Sequence, residues 1–274
     1  MLLSRRAALK GVLATTVGAI TGASAYGVAY ERHRIGTTEA MLPVSGLAPA
    51  LDGLRIGFVT DIHHSAMVRA DDVQVAVDLV RAARPDLIVL GGDYVTWGDR
   101  AYVGPVAELL APLTAPYGVF GILGNHDDDR YMPAALAAKH IDVLKDARTR
   151  VEIRGEALEL AGIRFWTRKS SEIARVIRGA RDTVLLLAHD PRRLAEAADL
   201  DVPAVLSGHT HGGQVVLPGV GAVARRSFPV LSGLGSRDNT WMFVSRGVGT
   251  VYVPIRINCP PEVAIVTLKR KSDI

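Results

Sequence analysis

Leu54-Arg-Ile-Gly-Phe-Val-Thr60, followed at once by Asp61-Ile62-His63, sets the pattern on which the fold is read. An apolar run of strand length stops abruptly, and the next polar residues are of the types that bind metal ions. The arrangement recurs four more times. Residues 86–90 run into Gly91-Gly92-Asp93, and 118–123 into Gly124-Asn125-His126-Asp127. Residues 183–188 run into His189-Asp190, and 203–206 into Ser207-Gly208-His209-Thr210-His211. Continuous runs rich in Val, Ile and Leu mark strands buried on both faces.

Helical patterns separate the runs. Residues 72–83 place Val73, Ala76, Val77 and Val80 on one face, and Pro85 closes the segment. Residues 102–110, 171–178 and 192–198 read the same way. Strand and helix in alternation predict an α/β fold with a largely parallel sheet. The carboxyl ends of such strands share one edge, where ligands bind. Residues far apart in sequence are therefore expected to converge there.

Each motif taken singly has an ordinary structural reading: a lone Gly-Asp is usually a turn, and a lone histidine after a strand is more often structural than a ligand. Their joint occurrence decides otherwise. Of eight histidines, five (His63, His126, His189, His209 and His211) fall at these strand ends. His33, His64 and His140 fall outside the pattern and read as surface or supporting residues, with His64 pointing away from His63 in extended backbone.

The ordered set Asp61-x-His63, Gly92-Asp93, Gly124-Asn125-His126-Asp127, His189 and Gly208-His209-x-His211 resembles the calcineurin-like metallophosphoesterases over residues 54–211. Ser207-Gly-His-Thr-His-Gly-Gly-Gln214, Val244-Ser-Arg-Gly247 and 254–262 resemble its YaeI/YkuE-like branch. Arg164 stands where that pattern expects an acidic residue after Gly162. The resemblance implies a four-layer α/β/β/α sandwich, with runs 214–217, 241–245, 250–253 and 263–268 in its second sheet. It implies two divalent transition-metal ions (Mn, Fe, Zn, Ni or Co), a donor set without thiolate being unsuited to calcium selection. One ion would take Asp61, His63 and His211, the other Asn125, His189 and His209, with Asp93 bridging. A metal-bridging hydroxide would then attack a phosphate ester in line with the leaving group. His126 would donate a proton to the leaving oxygen, with Asp127 orienting it. Arg246, in the branch motif, is the candidate substrate-phosphate contact, while Arg225 and Arg226 read as solvated surface.

The first 25 residues read as a twin-arginine signal peptide: Arg5-Arg6 and Lys10, a weakly apolar stretch, then Ala23-Ser24-Ala25 as a small-x-small cleavage pattern. An uncleaved anchor over 12–30, tying the protein to the membrane or cell envelope, is the alternative. Residues 26–50 read as a linker and 51–274 as one catalytic domain. The expected location is the periplasm or cell envelope, with the export machinery as partner.

Composition agrees with a globular hydrolase. The chain has 274 residues, 49% hydrophobic, which suits one large core or two modest ones. The three basic residues of the leader carry most of the net charge of +4. The nearly neutral remainder gives no electrostatic case for nucleic acid. Cys259 is the single cysteine, which excludes an internal disulfide and reads as a small buried hydrophobe. No Gly-x-Ser-x-Gly elbow, His-Glu-x-x-His or P-loop points to another hydrolase class. The leading expectation is a phosphodiesterase or phosphomonoesterase. The alternatives are pyrophosphate cleavage in a UDP-diacylglucosamine-like lipid and a non-catalytic binding protein on the same scaffold.

Overall fold

The structure is a computed structural model and describes residues 5–223 and 228–271. In chain order the elements are α1 (Arg5–Ala29), β1 (Gly36–Val44), β2 (Arg55–Val59), α2 (Ala70–Ala83), β3 (Leu87–Leu90), α3 (Val103–Leu110), β4 (Val119–Gly121), α4 (Tyr131–Ala137) and β5 (Asp142–Val143). There follow β6 (Ala147–Ile153), β7 (Glu156–Gly162), α5 (Ser170–Ile177), β8 (Thr183–Leu187), α6 (Leu194–Asp199) and β9 (Ala204–Ser207). The chain continues with β10 (Val216–Leu217), β11 (Gly221–Ala222), β12 (Gly233–Arg237), β13 (Thr240–Val244) and β14 (Glu262–Arg270).

Two six-stranded sheets carry the fold. The first has the order β1-β14-β2-β3-β4-β5, the second β12-β13-β9-β8-β7-β6. Strands β2, β3, β4 and β5 run parallel, as do β7, β8, β9 and β13. The sheets pack face to face through Phe58, Phe120, Leu158, Leu185, Leu206, Phe243 and Val266. On the outer face of the first sheet, Val73, Val77 and Val80 of α2 join Val106 and Leu110 of α3 and Met132 and Leu136 of α4. On the outer face of the second, Ile173 of α5 and Leu194 and Ala197 of α6 cover Leu186 and Val205. The result is the expected four-layer α/β/β/α sandwich. Each sheet is buried on both faces, so its central strands are apolar throughout.

Four expectations change. The run 214–217 does not join the second sheet: Val216 and Leu217 form β10, which pairs with β11 in a separate two-stranded sheet. The stretch 26–50 is not a linker. Gly27 packs so closely that a Cβ there would lie 2.6 Å from the Arg256 carbonyl oxygen, and buried Glu31 accepts the Cys259 N–H at 2.7 Å. Beyond them β1 pairs in parallel with β14 from Gly36↔Glu262 to Val44↔Arg270. The run 263–268 belongs to the first sheet, where β14 lies between β1 and β2, and not to the second. Residues 250–253 form a loop, with both backbone groups of Val251 taken by the Gln214 side chain. Among the described residues, no helix is long and apolar enough to cross a membrane. Arg225 and Arg226 lie outside the described residues.

Candidate metal centre

The loops after β2, β3, β4, β8 and β9 meet at one edge of the sandwich. Several of their polar residues adopt left-handed backbone: Asp61 (φ 54°), His63 (52°), Asp93 (55°), His209 (72°) and His211 (51°). Asp, Asn and His tolerate this region better than most side chains. Such strain concentrates at functional sites, where surrounding structure holds it in place. Here the holding is done by backbone hydrogen bonds between loops, Asp61 N–H to Gly92 O and His63 N–H to Asp93 O, both 2.9 Å. The motif glycines follow from crowding. A Cβ at Gly124 would lie 2.1 Å from Asp93 Oδ1, and one at Gly208 2.2 Å from Asp61 Oδ2.

Two groups of donors result, Asp61 with His63 and His211, and Asp93 with His189 and His209. Asp93 Oδ2 stands 3.5 Å from His63 Nε2 and 3.1 Å from His189 Nε2, so one carboxylate oxygen faces both groups. His211 Nε2 is 3.1 Å from His63 Nε2 and 3.3 Å from Asp61 Oδ1. Outer contacts orient the rings. His189 Nδ1 donates to the Gly91 carbonyl at 2.7 Å, which leaves the Nε2 lone pair free when the ring is neutral. Asp61 is fixed by the His209 N–H at 2.9 Å and the Thr60 hydroxyl at 2.7 Å.

The donor set fits a pair of cations. His189 Nε2 and Asn125 Oδ1 are buried yet make no hydrogen bond, although His189 Nε2 lies so near Asp93. Buried polar atoms are seldom left unpaired, and an ion is one accepted reason. The electrostatics point the same way. Burial pushes the Asp61 carboxyl up to about 6, against the attraction of His189. Burial also works against the Asp93 carboxylate, but the charges of His189 and His63 outweigh it and hold it below the usual range. Burial opposes a charged His189 as well, yet Asp93 and Asp61 together raise it to about 10. His63 is pressed down to about 3 and His209 to about 4, chiefly by burial. Two buried carboxylates thus demand positive charge while most of the imidazoles around them stay neutral, the state in which they coordinate.

A family model, Calcineurin-like phosphoesterase, matches residues 54–213. The chain belongs to the calcineurin-like phosphoesterase family. It is accordingly a metal-dependent phosphoester hydrolase. Among its relatives is the uncharacterized metallophosphoesterase YkuE of Bacillus subtilis, 31% identical over 97% of this chain and 98% of that one. Phosphodiesterase YaeI of Escherichia coli is 30% identical over 78% of this chain and 82% of its own. The crystal structure of TT1561 of Thermus thermophilus shares the fold, with TM-score 0.50 and 11% identity over 71% of this chain and 89% of that one.

Within this family site, some residues serve otherwise than the sequence suggests. Asp127 does not orient the His126 ring. Its oxygens accept the N–H groups of Asp93 at 2.7 Å, Tyr94 at 2.8 Å and Gly124 at 2.9 Å, clamping two ligand loops together. Burial, then the charge of Asp93, lift its carboxyl to about 7. The His126 ring accepts the Trp97 N–H at Nδ1 instead, while the His126 backbone N–H donates to Asp93 Oδ1 at 2.8 Å. Arg246 is engaged by buried Glu262, with Nε 2.7 Å from Oε2 and a second guanidinium nitrogen on the same oxygen. His64 is buried, bonded to the Val68 carbonyl at 2.9 Å and set edge-on to Tyr102. Cys259 is buried as expected, 3.3 Å from the His211 carbonyl.

Arg256 was not anticipated. It is the largest fully buried side chain, and it donates to the carbonyls of Arg246 at 2.8 Å, Gly249 at 2.6 Å and Cys259 at 3.1 Å. It knits the 245–259 loops behind His211. Its only sequence signal is its place between Ile255 and Ile257 in a Pro-flanked stretch.

Proposed function

We propose that the chain is an exported phosphodiesterase with two divalent transition-metal ions. Asp61, His63 and His211 would hold one, Asn125, His189 and His209 the other, with Asp93 between them. The observation that carries this is the position of Asp93 Oδ2 within 3.5 Å of donors from both groups, beside Asn125 Oδ1, which is buried without a hydrogen bond. When bound, such a pair supplies charge stabilisation to phosphoryl oxygens and a water nucleophile active at neutral pH.

The chain's own residues do the rest. Asp93 brings a negative charge to the cavity lining, and Asp61 a second one buried behind it, 3.3 Å from His211 Nε2. Asp127 keeps the Asp93 and Gly124 loops in register. His126, whose Nδ1 is occupied by Trp97, offers an Nε2–H to an ester oxygen. The charge balance favours a diester. The cavity is lined by His63, Asp93, His126, Gln214, Phe228 and Tyr252 among others, and by no lysine or arginine among the described residues. Arg246 is paired with Glu262, and Arg256 is spent on carbonyls. A dianionic monoester would want such a cation more than a singly charged diester does.

Hydrolysis of bis(p-nitrophenyl) phosphate and p-nitrophenyl phosphate by the Mn-loaded protein tests the reading. Turnover of the diester should exceed that of the monoester and vanish with chelation. A monoester preference would contradict it. Export rests on Arg5-Arg6 and on the cleavage pattern ending at Ala25, just before Gly27, which packs against the body. Changing both arginines to lysine should hold the protein in the cytoplasm, and unchanged export would refute the signal.

A further inference from the structure

Trp97 and Tyr252 stand at the mouth of the site in backbone conformations that bulky side chains avoid. Trp97 has φ 56° and Tyr252 φ 63°. Glycine, asparagine or aspartate is the usual occupant of that region. Burial does not compensate, since the two residues are 66% and 58% exposed.

Each is held by contacts with the site itself. The Trp97 N–H is tied to the His126 ring at 3.1 Å, and the next N–H, of Gly98, to the His126 carbonyl at 2.7 Å. Tyr252 is the central residue of a three-residue turn closed by Val253 N–H to Val251 O at 2.7 Å, the rare positive-φ form. Gln214 grips Val251 from both sides, at 2.8 Å and 3.2 Å. The rings then meet. Trp97 lies 4.6 Å from the His126 ring and 5.3 Å from Tyr252, at 67° to it. Tyr252 lines the same cavity as His63, Asp93 and His126, with Phe228 and Val251 completing an apolar wall. Strain at such positions is evidence of use when the surroundings enforce it.

We propose that Trp97 and Tyr252 form an aromatic subsite that stacks a planar ring carried on one arm of the phosphoester. The subsite rests on the phosphodiesterase reading and narrows its substrate class. A phosphate held over Asp93 places its ester arm beside His126, against which Trp97 is packed. Exposed aromatic faces with no lysine or arginine among the described residues of the cavity wall select flat π systems over alkyl chains or free sugars. A nucleobase and a simple aryl ring share that chemistry.

Titration calorimetry on the Mn-loaded protein tests it with two matched pairs of ligands. Adenosine 5′-monophosphate is compared with ribose 5-phosphate, and benzylphosphonate with butylphosphonate. In at least one pair the ring-bearing member should bind about tenfold more tightly, a typical size for one stacked ring. Preference in the first pair alone assigns the subsite to a nucleobase, and preference in the second to any aryl ring. Trp97→Ala and Tyr252→Ala should each bring the ratio to within about twofold of unity, and Tyr252→Phe should keep it. Tryptophan fluorescence should be quenched by the ring-bearing ligand in the native protein and not in Trp97→Phe. Trp97→Gly separates this from a folding role: glycine accepts the positive φ, so its melting temperature should hold or rise while the preference is lost. No ring preference in the native protein, or equal weakening of both members of a pair in the variants, overturns the proposal. Turnover of bis(p-nitrophenyl) phosphate is followed separately. Turnover without ring preference sinks the subsite alone, and absence of turnover with metal bound sinks the enzyme reading.

Discussion

The backbone N–H of Trp97 donates to Nδ1 of His126 at 3.1 Å. A ring nitrogen that accepts a hydrogen bond carries no proton, so neutral His126 bears its proton on Nε2. A second proton would cost the Trp97 bond, and burial already holds the imidazolium below its ordinary range. We propose that His126 acts as a neutral hydrogen-bond donor rather than as the full proton donor expected from the sequence.

His126→Ala should fold, keep its metal content and lose about 10²–10³-fold in kcat, the effect of one missing transition-state donor. The loss should be nearly the same for p-nitrophenyl and alkyl leaving groups, because no proton is delivered to the departing oxygen. Steady-state kinetics on both esters, with metal content measured on the same samples, checks this. A loss confined to the alkyl ester would restore the general-acid role.

Arg246→Ala should cost stability and not substrate affinity. Glu262 is 3% exposed at its side chain and accepts from Arg246, from the Thr38 hydroxyl at 2.6 Å and from the Ser245 hydroxyl at 3.2 Å. Removing the guanidinium strands a buried carboxylate, at a cost of about 3 kcal/mol. Thermal denaturation should show a drop of roughly 6–12 °C, with KM for the diester unchanged. A raised KM without loss of stability would mean that Arg246 reaches the substrate.

Metal binding should release protons. In the apoprotein His189 holds its proton to about 10, chiefly because the attraction of Asp93 and Asp61 overcomes burial. Coordination through Nε2 requires the neutral ring, so a proton leaves as an ion enters, and affinity rises with pH. At pH 8 Asp61 and Asp127, raised to about 6 and about 7, are already ionised and add little. Calorimetric titration with Mn²⁺ in buffers of different ionisation enthalpy should give a release of about one proton. Zero release would remove His189 from the ligand set.

Asp93→Asn should harm metal content more than any other single ligand change. Its Oδ2 faces both donor groups, and among the described residues no other carboxylate does so as closely: Asp61 Oδ1 is 3.9 Å from His189 Nε2. Elemental analysis of each purified ligand variant checks this. Two ions retained in Asp93→Asn, with both lost in His189→Ala, would reverse the assignment.

The site was legible because each of its residues follows an apolar strand run directly, so the parallel topology brings them to one edge whatever the intervening sequence. The motif glycines were legible for the same reason, and the structure supplies the cause in their contacts with Asp61 and Asp93. Strand β1 was not legible. It lies at a sheet edge, buries only Leu42 and Val44 fully, at its C-terminal end, and contains Pro43, which an edge strand tolerates. The apolar run of β14 marks a strand but not its sheet, since such a run does not say which partner it pairs with. Arg256 was invisible because a charged residue is expected at the surface. Its burial follows from backbone carbonyls of residues 246–249 and of Cys259, gathered around it by the connection between β13 and β14, which no local pattern records. Asp127 looked like the partner of its neighbour His126, yet neighbours in sequence diverge in a tight loop, and its carboxylate turns to amides 3 to 34 residues away.

The most direct test of the whole account is an anomalous difference map from crystals of the Mn-loaded protein. Two peaks are expected about 3.5–4 Å apart, both adjoining Asp93, one flanked by Asp61, His63 and His211 and the other by Asn125, His189 and His209. A single peak, or a pair in which Asp93 touches only one, would contradict the two-ion centre.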